Sequence, residues 1–200
     1  MYRINNSFLV CMMFAIFACK HHKGMAYSTA TKEIKKEIKI QKPNFIFYLA
    51  DDQDQLDYGC YGNTKVKTPN VDKLAEEGLR FTNFYTAQAI CAPSRSQIFT
   101  GMYPLKSGCM ANHLSVKPTI ESVTTLLQKA GYEVILAGKS HVKPDKVFSW
   151  NKYFPSVEHR YLPLSDIDNY LKSVTKPFCI FITSDYPHGP YPKTTHYKEV

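Results

Sequence analysis

Three short apolar runs that alternate with helical patterns constrain the fold of this chain most strongly. The runs are FIFYLA, EVILAG and KPFCIFITS, at residues 45–50, 133–138 and 176–184. Helical patterns, two of them ended by a glycine, occupy residues 68–81, 119–132 and a stretch near Ile167–Val174. An unbroken apolar run predicts a strand buried on both faces of a parallel sheet. Strands that alternate with helices predict an α/β fold with a mostly parallel sheet sandwiched between helices.

Polar and charged side chains follow each of these strands at the point where it ends. The three stretches are Ala50–Asp52 (ADD), Gly138–His141 (GKSH) and Ser184–His188 (SDYPH). In parallel α/β sheets, functional groups gather beyond the carboxyl ends of the strands. The sequence therefore predicts that acids, a lysine and two histidines converge on one edge of the sheet.

Asp51 and Asp52 come directly after the first apolar run. Adjacent carboxylates repel each other unless a cation lies between them, and Ca²⁺ and Mg²⁺ prefer oxygen ligands. A turn, or a cap for a following helix, explains the same pair equally well. The residues alone leave both interpretations open.

Cys91 lies in the segment YTAQAICAPSRSQIFTG at residues 85–101, where Pro93 and Ser94 suit the start of a helix. Free backbone N–H groups and the helix dipole favour anions there, which predicts a stabilised thiolate. Arg95 adds a fixed positive charge suited to binding an oxyanion. A buried thiol beside a helix cap is the alternative that the residues leave open.

The net charge of +8 does not indicate a nucleic-acid-binding protein, because it is concentrated at the N-terminus. Residues 1–43 contain eight Lys or Arg and two Glu, whereas residues 44–200 contain seventeen Lys or Arg and fifteen Asp or Glu. The larger part therefore has a surplus of only two positive charges, too few for a basic binding surface.

The N-terminus resembles an export signal. Residues 1–19 combine Arg3 with an apolar run too short to span a bilayer, and they end at Cys19 in IFAC, similar to a bacterial lipobox. We predict a lipoprotein signal peptide at 1–19, a charged tether at 20–43 and a globular domain at 44–200. The protein would be exported to the periplasm or cell surface and anchored by lipid on Cys19. An ordinary signal peptide cut near Ala26 is the alternative.

Four cysteines lie outside the predicted leader: Cys60, Cys91, Cys109 and Cys179. An exported protein permits disulfides. Four cysteines allow three pairings, and the sequence selects none of them.

Five motifs resemble those of the sulfatase family, in the same order along the chain. CAPSR, followed by SQIFTGMYP, matches the family's C-x-P-S-R signature and its continuation. NFIFYLADDQ is similar to the family's first strand and metal-binding aspartates, and YGNTKVKTPNVDKLAEEGLRFTNFY to its next segment. GKSHV and YPHGPY correspond to G-K-x-H and P-H-x-P. The resemblance covers residues 44–192 and implies the α/β fold of the alkaline phosphatase superfamily and hydrolysis of sulfate esters or N-sulfates.

The resemblance implies that Asp51, Asp52 and Cys91 ligate a divalent cation, usually Ca²⁺ and otherwise Mg²⁺. A maturation enzyme would convert Cys91 to formylglycine, whose aldehyde hydrates to a geminal diol. One diol oxygen would attack sulfur and displace an alcohol or amine. The second hydroxyl would then lose its proton and expel sulfate.

The resemblance also implies roles for four further residues. Arg95 would hold the formylglycine, and Lys139 would bind the sulfate group. His141 would assist the diol, and His188 would lie at the leaving group as a sulfate ligand or proton donor. A sulfate ester is a poor electrophile, so such a site needs an activated oxygen nucleophile and concentrated positive charge.

GKSHVKPDKVFSW resembles the branch of N-sulfoglucosamine sulfohydrolase (heparan N-sulfatase), as does the short segment before PHGP. That resemblance predicts an N-sulfated or O-sulfated glycan as substrate, as in glycosaminoglycan degradation.

The chain departs from the family pattern near its end. The family has a later S-D-x-G segment with a second acidic metal pair, and Ser184-Asp185 is a poor match for it. The sequence is therefore interpreted as the N-terminal part of a sulfatase catalytic domain, incomplete at the C-terminus, with little or no activity by itself. The alternatives are a phosphoester or phosphonate hydrolase of the same superfamily and a non-catalytic truncated surface lipoprotein.

Overall fold

The computed structural model describes residues 41–157 and 160–190. The strands in this part of the chain are β1 (Phe45–Asp51), β2 (Glu133–Gly138), β3 (Lys152–Phe154) and β4 (Phe178–Pro187). The α-helices are α1 (Pro69–Glu77), α2 (Cys91–Thr100), α3 (Pro104–Ser107), α4 (Val123–Lys129) and α5 (Leu164–Ser173). Two short 3-10 helices, Gln55–Asp57 and Gly59–Tyr61, follow β1.

The four strands form one sheet in the order β1-β4-β2-β3, and every neighbouring pair is parallel. Phe45 pairs with Cys179, and Glu133 pairs with Phe178. The predicted α/β fold with a mostly parallel sheet is therefore confirmed. The three-residue strand β3 had no counterpart among the predicted strands.

Apolar side chains that alternate along β2 and β4 build a core on each face of the sheet. On one face, Val134 and Phe181 belong to a cluster with Phe99 of α2, and residues of α4 pack against it. On the other face, Ile135 packs with Ile167 of α5. Helices thus cover both faces of the central strands, as predicted.

The prediction that β1 is buried on both faces is wrong for the described part of the chain. The side chains of its first four residues are 40–70% exposed: Phe45, Ile46, Phe47 and Tyr48. Among the strands of residues 41–157 and 160–190, β1 lies at an edge and pairs only with β4, whereas the two cores are centred on β2 and β4. An apolar run identifies a strand but not its place in the sheet.

The predicted signal peptide, its lipidation site Cys19 and the tether up to residue 40 lie outside the described residues. Within residues 41–157 and 160–190, no helix is long and apolar enough to cross a bilayer.

Candidate active site

The carboxyl ends of β1, β4 and β2 lie side by side at one edge of the sheet. Asp51 is in register with Pro187, and Gly138 is in register with Thr183. Helix α2 begins with Cys91 at the same edge, where its sulfur lies 3.8 Å from the nearer carboxylate oxygen of Asp51. The residues that follow β1, β2 and β4 therefore meet Cys91 at this edge, as the parallel strand order requires.

Asp51 is the buried centre of this cluster, with 4% of its surface exposed. Arg95 Nη2 donates to its Oδ1 at 3.0 Å, and Lys139 Nζ donates to its Oδ2 at 2.5 Å. Burial alone would raise the pKa of the Asp51 carboxyl, but the hydrogen bonds from Lys139 and Arg95 outweigh it and lower that pKa. Asp51 is therefore held as a carboxylate.

Arg95 connects helix α2 to two strands. Its side chain is 3% exposed, and its guanidinium also donates to the backbone carbonyl of Lys139 at 2.9 Å. Both contacts are to protein groups, so Arg95 fixes Asp51 and the chain after β2 in one arrangement. The predicted contact of Arg95 with a formylglycine stays a prediction.

Cys91 faces two carboxylates and one ammonium group. Its Sγ lies 3.8 Å from Asp51 Oδ1, 4.0 Å from Asp52 Oδ1 and 3.9 Å from Lys139 Nζ. Burial, and then the charge of Asp51, raise the pKa of the Cys91 thiol. The prediction of a stabilised thiolate is wrong, because burial and the carboxylates outweigh the start of α2.

All four cysteines of the described region are free thiols: Cys60, Cys91, Cys109 and Cys179. None of the three pairings that the sequence allowed is formed there.

Gly138 explains how Lys139 reaches Asp51. A Cβ atom at Gly138 would lie 2.0 Å from the carbonyl oxygen of Thr183, and its φ of 99° is in the left-handed region. Thr183 Oγ1 then donates to the carbonyl of Lys139 at 2.8 Å, and Lys139 N donates to the carbonyl of Thr183 at 3.0 Å. The glycine of the G-K-x-H motif therefore permits the close approach of β2 and β4 that positions the lysine.

The two predicted histidines lie on different sides of the cluster. The ring of His141 packs against the ring of His113, with 5.3 Å between centroids. Burial, and then the charge of Lys139, lower the pKa of His141, which favours a neutral ring. His188 Nε2 lies 3.5 Å from Asp52 Oδ2.

A cation would find a partial ligand set here. Ligand atoms of Asp51, Cys91 and His188 lie within 4.8 Å of one another, and Asp52 contacts both Cys91 and His188. Two carboxylates suit Ca²⁺ or Mg²⁺, but a thiol does not, so the donor set fits a hard cation once oxygen replaces sulfur at Cys91. Asp185, the poor match to the family's second acidic segment, instead accepts a hydrogen bond from Ser156.

An open cavity of 240 Å³ lies beside the cluster, and its lining includes Asp51, Asp52, Cys91 and Arg95. A charged group of a ligand in this cavity would therefore meet the carboxylates and the position of Cys91 together.

Three residues at this edge had not been predicted. Asn112 Oδ1 accepts a hydrogen bond from the backbone N–H of Ala92, and His113 contacts His141. Arg160 donates to the backbone carbonyls of His188 at 2.9 Å and Gly189 at 3.2 Å. No spacing or composition signals these contacts, because each joins separate loops.

The profile of the sulfatase family matches residues 43–200. The chain belongs to the sulfatase family.

An ulvan-active sulfatase of Formosa agariphila is 55% identical over 197 residues, which are 95% of this chain and 40% of that relative. The chain therefore spans well under half the length of this relative.

Two solved structures share the fold. That of BT4656 in complex with D-glucosamine-2-N,6-O-disulfate has a TM-score of 0.66 and 27% identity, over 74% of this chain and 35% of the other. The phosphonate monoester hydrolase of Agrobacterium radiobacter has a TM-score of 0.64 and 18% identity, over 76% and 43%. The second likeness concerns the fold alone.

Proposed function

We propose that this sulfatase-family chain supplies the catalytic edge of an enzyme that releases sulfate from a sulfated glycan. The observation that carries the proposal is the cluster in which Asp51, Asp52 and Lys139 lie within 4.0 Å of the Cys91 sulfur and Arg95 is bound to Asp51. The likeness to an ulvan-active sulfatase and to a structure bound to a sulfated glucosamine supports this substrate class. N-sulfates and O-sulfates are both included.

Cys91 is proposed to act after conversion to formylglycine, by a maturation enzyme that recognises the CAPSR segment. The raised pKa of the thiol and the two nearby carboxylates make sulfur itself a poor nucleophile. When hydrated, formylglycine would supply an oxygen nucleophile. It would also replace the sulfur of residue 91 by oxygen among the atoms that could bind a cation.

Asp51, Asp52 and the converted Cys91 are the residues proposed to hold a divalent cation, with Ca²⁺ favoured over Mg²⁺. Such an ion would supply positive charge beside the nucleophile and the sulfate group. The described residues provide fewer oxygens than the six to eight that Ca²⁺ usually takes.

The chain's own side chains have separate tasks in the proposed reaction. Lys139 is 3.9 Å from the Cys91 sulfur and 19% exposed, so its ammonium group is suited to bind a sulfate oxygen. His141, kept neutral by burial and Lys139, is suited to accept a proton from the nucleophile. His188 is suited to give a proton to the departing alcohol or amine.

The test combines mass spectrometry across Cys91 with sulfate-release assays. The full chain, coexpressed with a maturation enzyme, is expected to carry formylglycine, and sulfate release is assayed on ulvan, N-sulfoglucosamine and O-sulfated sugars. Cys91→Ala is the control, because it removes the modifiable side chain from a small site. An unmodified thiol contradicts the formylglycine proposal, and turnover of aryl phosphate without any sulfate release contradicts the sulfatase proposal.

Export and lipid anchoring are proposed together for the N-terminal segment. Lys20–Lys23 (KHHK) suits a position after a lipidated cysteine better than one inside a cleavage region. The protein would then be held at the periplasmic or outer surface through Cys19. Incorporation of a fatty-acid analogue by the wild type but not by Cys19→Ala is the expected result, and equal incorporation by both contradicts it.

A further inference from the structure

The loop formed by residues 109–114 connects the candidate nucleophile to His141, although no catalytic motif includes it. The loop is compact: the fully buried Cys109 donates from Sγ to the carbonyl of Leu114 at 3.3 Å, and Leu114 N donates to the carbonyl of Ala111 at 3.3 Å. These bonds hold Asn112 and His113, which lie between Ala111 and Leu114, in defined places.

Asn112 fixes this loop to the helix that carries Cys91. Its Oδ1 accepts a hydrogen bond of 2.9 Å from the N–H of Ala92, the residue that follows Cys91. The first N–H groups of a helix have no partner within the helix, so this bond satisfies one of them. The loop and the first turn of α2 are consequently a single unit.

His113 reaches from the same loop to His141. The two rings are 5.3 Å apart at their centroids and inclined by 51°. Both residues have left-handed backbones, with φ of 68° at His113 and 52° at His141. This conformation is unfavourable for a residue with a side chain and persists only where its surroundings impose it.

The ring of His141 depends on packing for its orientation. Its Nδ1 is buried and has no hydrogen-bond partner in the described part of the chain. Hydrogen bonds to Nδ1 usually fix the ring of a functional histidine. Here the ring of His141 instead packs against the ring of His113.

We infer that His113 is a positioning residue, which holds the ring of His141 at a fixed place relative to Cys91 by joining it to the start of α2. The inference rests on the proposed function, in which His141 accepts a proton from the nucleophile. His113 need not touch substrate to have this effect. The charged and titratable groups that act on the His141 ring are Lys139, His113, Arg95 and Asp51.

Two substitutions at His113 separate the ring from the backbone. His113→Asn deletes the ring, and asparagine tolerates the left-handed conformation. His113→Phe keeps a ring of similar size without its nitrogens. Ser115→Ala, at an exposed position two residues further along the chain, is the matched control for a substitution in this region.

The full chain carrying each substitution is assayed for sulfate release and for ¹³C–¹H relaxation of the His141 ring, assigned with His141→Gln. In His113→Asn we expect a mobile His141 ring and a kcat lower by about 10²-fold with little change in KM, as for a displaced catalytic group. His113→Phe and Ser115→Ala are expected to keep a rigid ring, and most of the wild-type kcat.

Wild-type kcat in His113→Asn overturns the inference, and so does a kcat loss in His113→Phe as large as in His113→Asn. If the wild type releases no sulfate although it carries formylglycine, the chain has the low activity expected of an incomplete catalytic domain, and the relaxation data alone decide the positioning role. A His141 ring as rigid in His113→Asn as in the wild type then overturns it.

Discussion

Replacing Arg95 by methionine is expected to destabilise the fold strongly, because Arg95 joins α2 to the ends of β1 and β2 from a position that is 2% exposed. Methionine keeps an unbranched apolar side chain but is shorter, and it removes the charge and all the donors of the guanidinium. Asp51 would keep only Lys139 as a cationic partner, and the carbonyl of Lys139 would lose its hydrogen bond from Arg95.

The magnitude follows from burial. Removing one member of a buried ion pair costs about 3–5 kcal/mol, since the remaining charge stays out of water. The remaining contact with Lys139 moderates the loss at Asp51. The carbonyl of Lys139 keeps its hydrogen bond from Thr183 Oγ1, so the loss of the Arg95 donor there adds little. We therefore expect the free energy of unfolding to fall by about 3–5 kcal/mol, which at a urea m-value of about 2 kcal/mol/M lowers the midpoint by roughly 2 M.

Urea unfolding followed by the fluorescence of Trp150 measures this loss. Trp150 is the single tryptophan of the sequence, and its ring lies 5.5 Å from that of Phe99 in the core. Lys172→Met is the matched control: Lys172 pairs with Asp168, but the two side chains are 70% and 61% exposed. An exposed i,i+4 pair contributes about 0.3–0.5 kcal/mol, so the control should lose little. A loss below about 1 kcal/mol in Arg95→Met would refute the reasoning that burial makes this ion pair decisive.

Two further predictions concern the ends of β2. Gly138→Ala is expected to lower the free energy of unfolding by at least about 3 kcal/mol, because the new Cβ would overlap the carbonyl of Thr183. Gly62→Ala is the control: Gly62 has a similar φ of 103° but open space around it, so the loss should be about 1–2 kcal/mol. Equal losses in urea unfolding would contradict the role of the clash. Burial, and then the charge of Lys139, lower the pKa of His141 below the usual 6.5. As pH falls, His141 therefore binds a proton in the unfolded chain before it does so in the folded one. The free energy of unfolding is expected to fall as pH drops through 6.5 towards the folded pKa. Between pH 8 and 5, the free energy of unfolding should fall less in His141→Gln than in the wild type. The same pH dependence in both proteins would contradict this role of His141.

Local patterns predicted where most elements lie but not how they are ordered in space. The run EVILAG coincides with β2, and the helical pattern at residues 68–81 contains α1. The exposure of β1 could not be predicted from its apolar residues, because it depends on strand order. That order is set by pairing between residues far apart in sequence, such as Phe45 and Cys179.

Sequence reasoning could predict which motif residues meet at the site, but not the burial and charges that surround them. Strand ends point to one edge of a parallel sheet, so Asp51 and Lys139 were expected to meet. The thiolate prediction for Cys91 failed because it used only the local helix start, an effect of about 0.3–1 kcal/mol. Burial and the Asp51 carboxylate, which β1 brings from elsewhere in the chain, act in the opposite direction.

The two cationic side chains at Asp51, Arg95 and Lys139, differ in burial and in their contacts, and this difference gives them different roles. Arg95 is 3% exposed, and its guanidinium donates to both Asp51 and the Lys139 carbonyl, so moving it would break two buried hydrogen bonds at once. Lys139 is 19% exposed, ends in a single compact charge and already lies 3.9 Å from the Cys91 sulfur. Turning its ammonium group towards a ligand beside Cys91 leaves Asp51 with Arg95 as partner. Arg95 is therefore the cation that keeps the site assembled, and Lys139 is the one able to serve a negatively charged substrate.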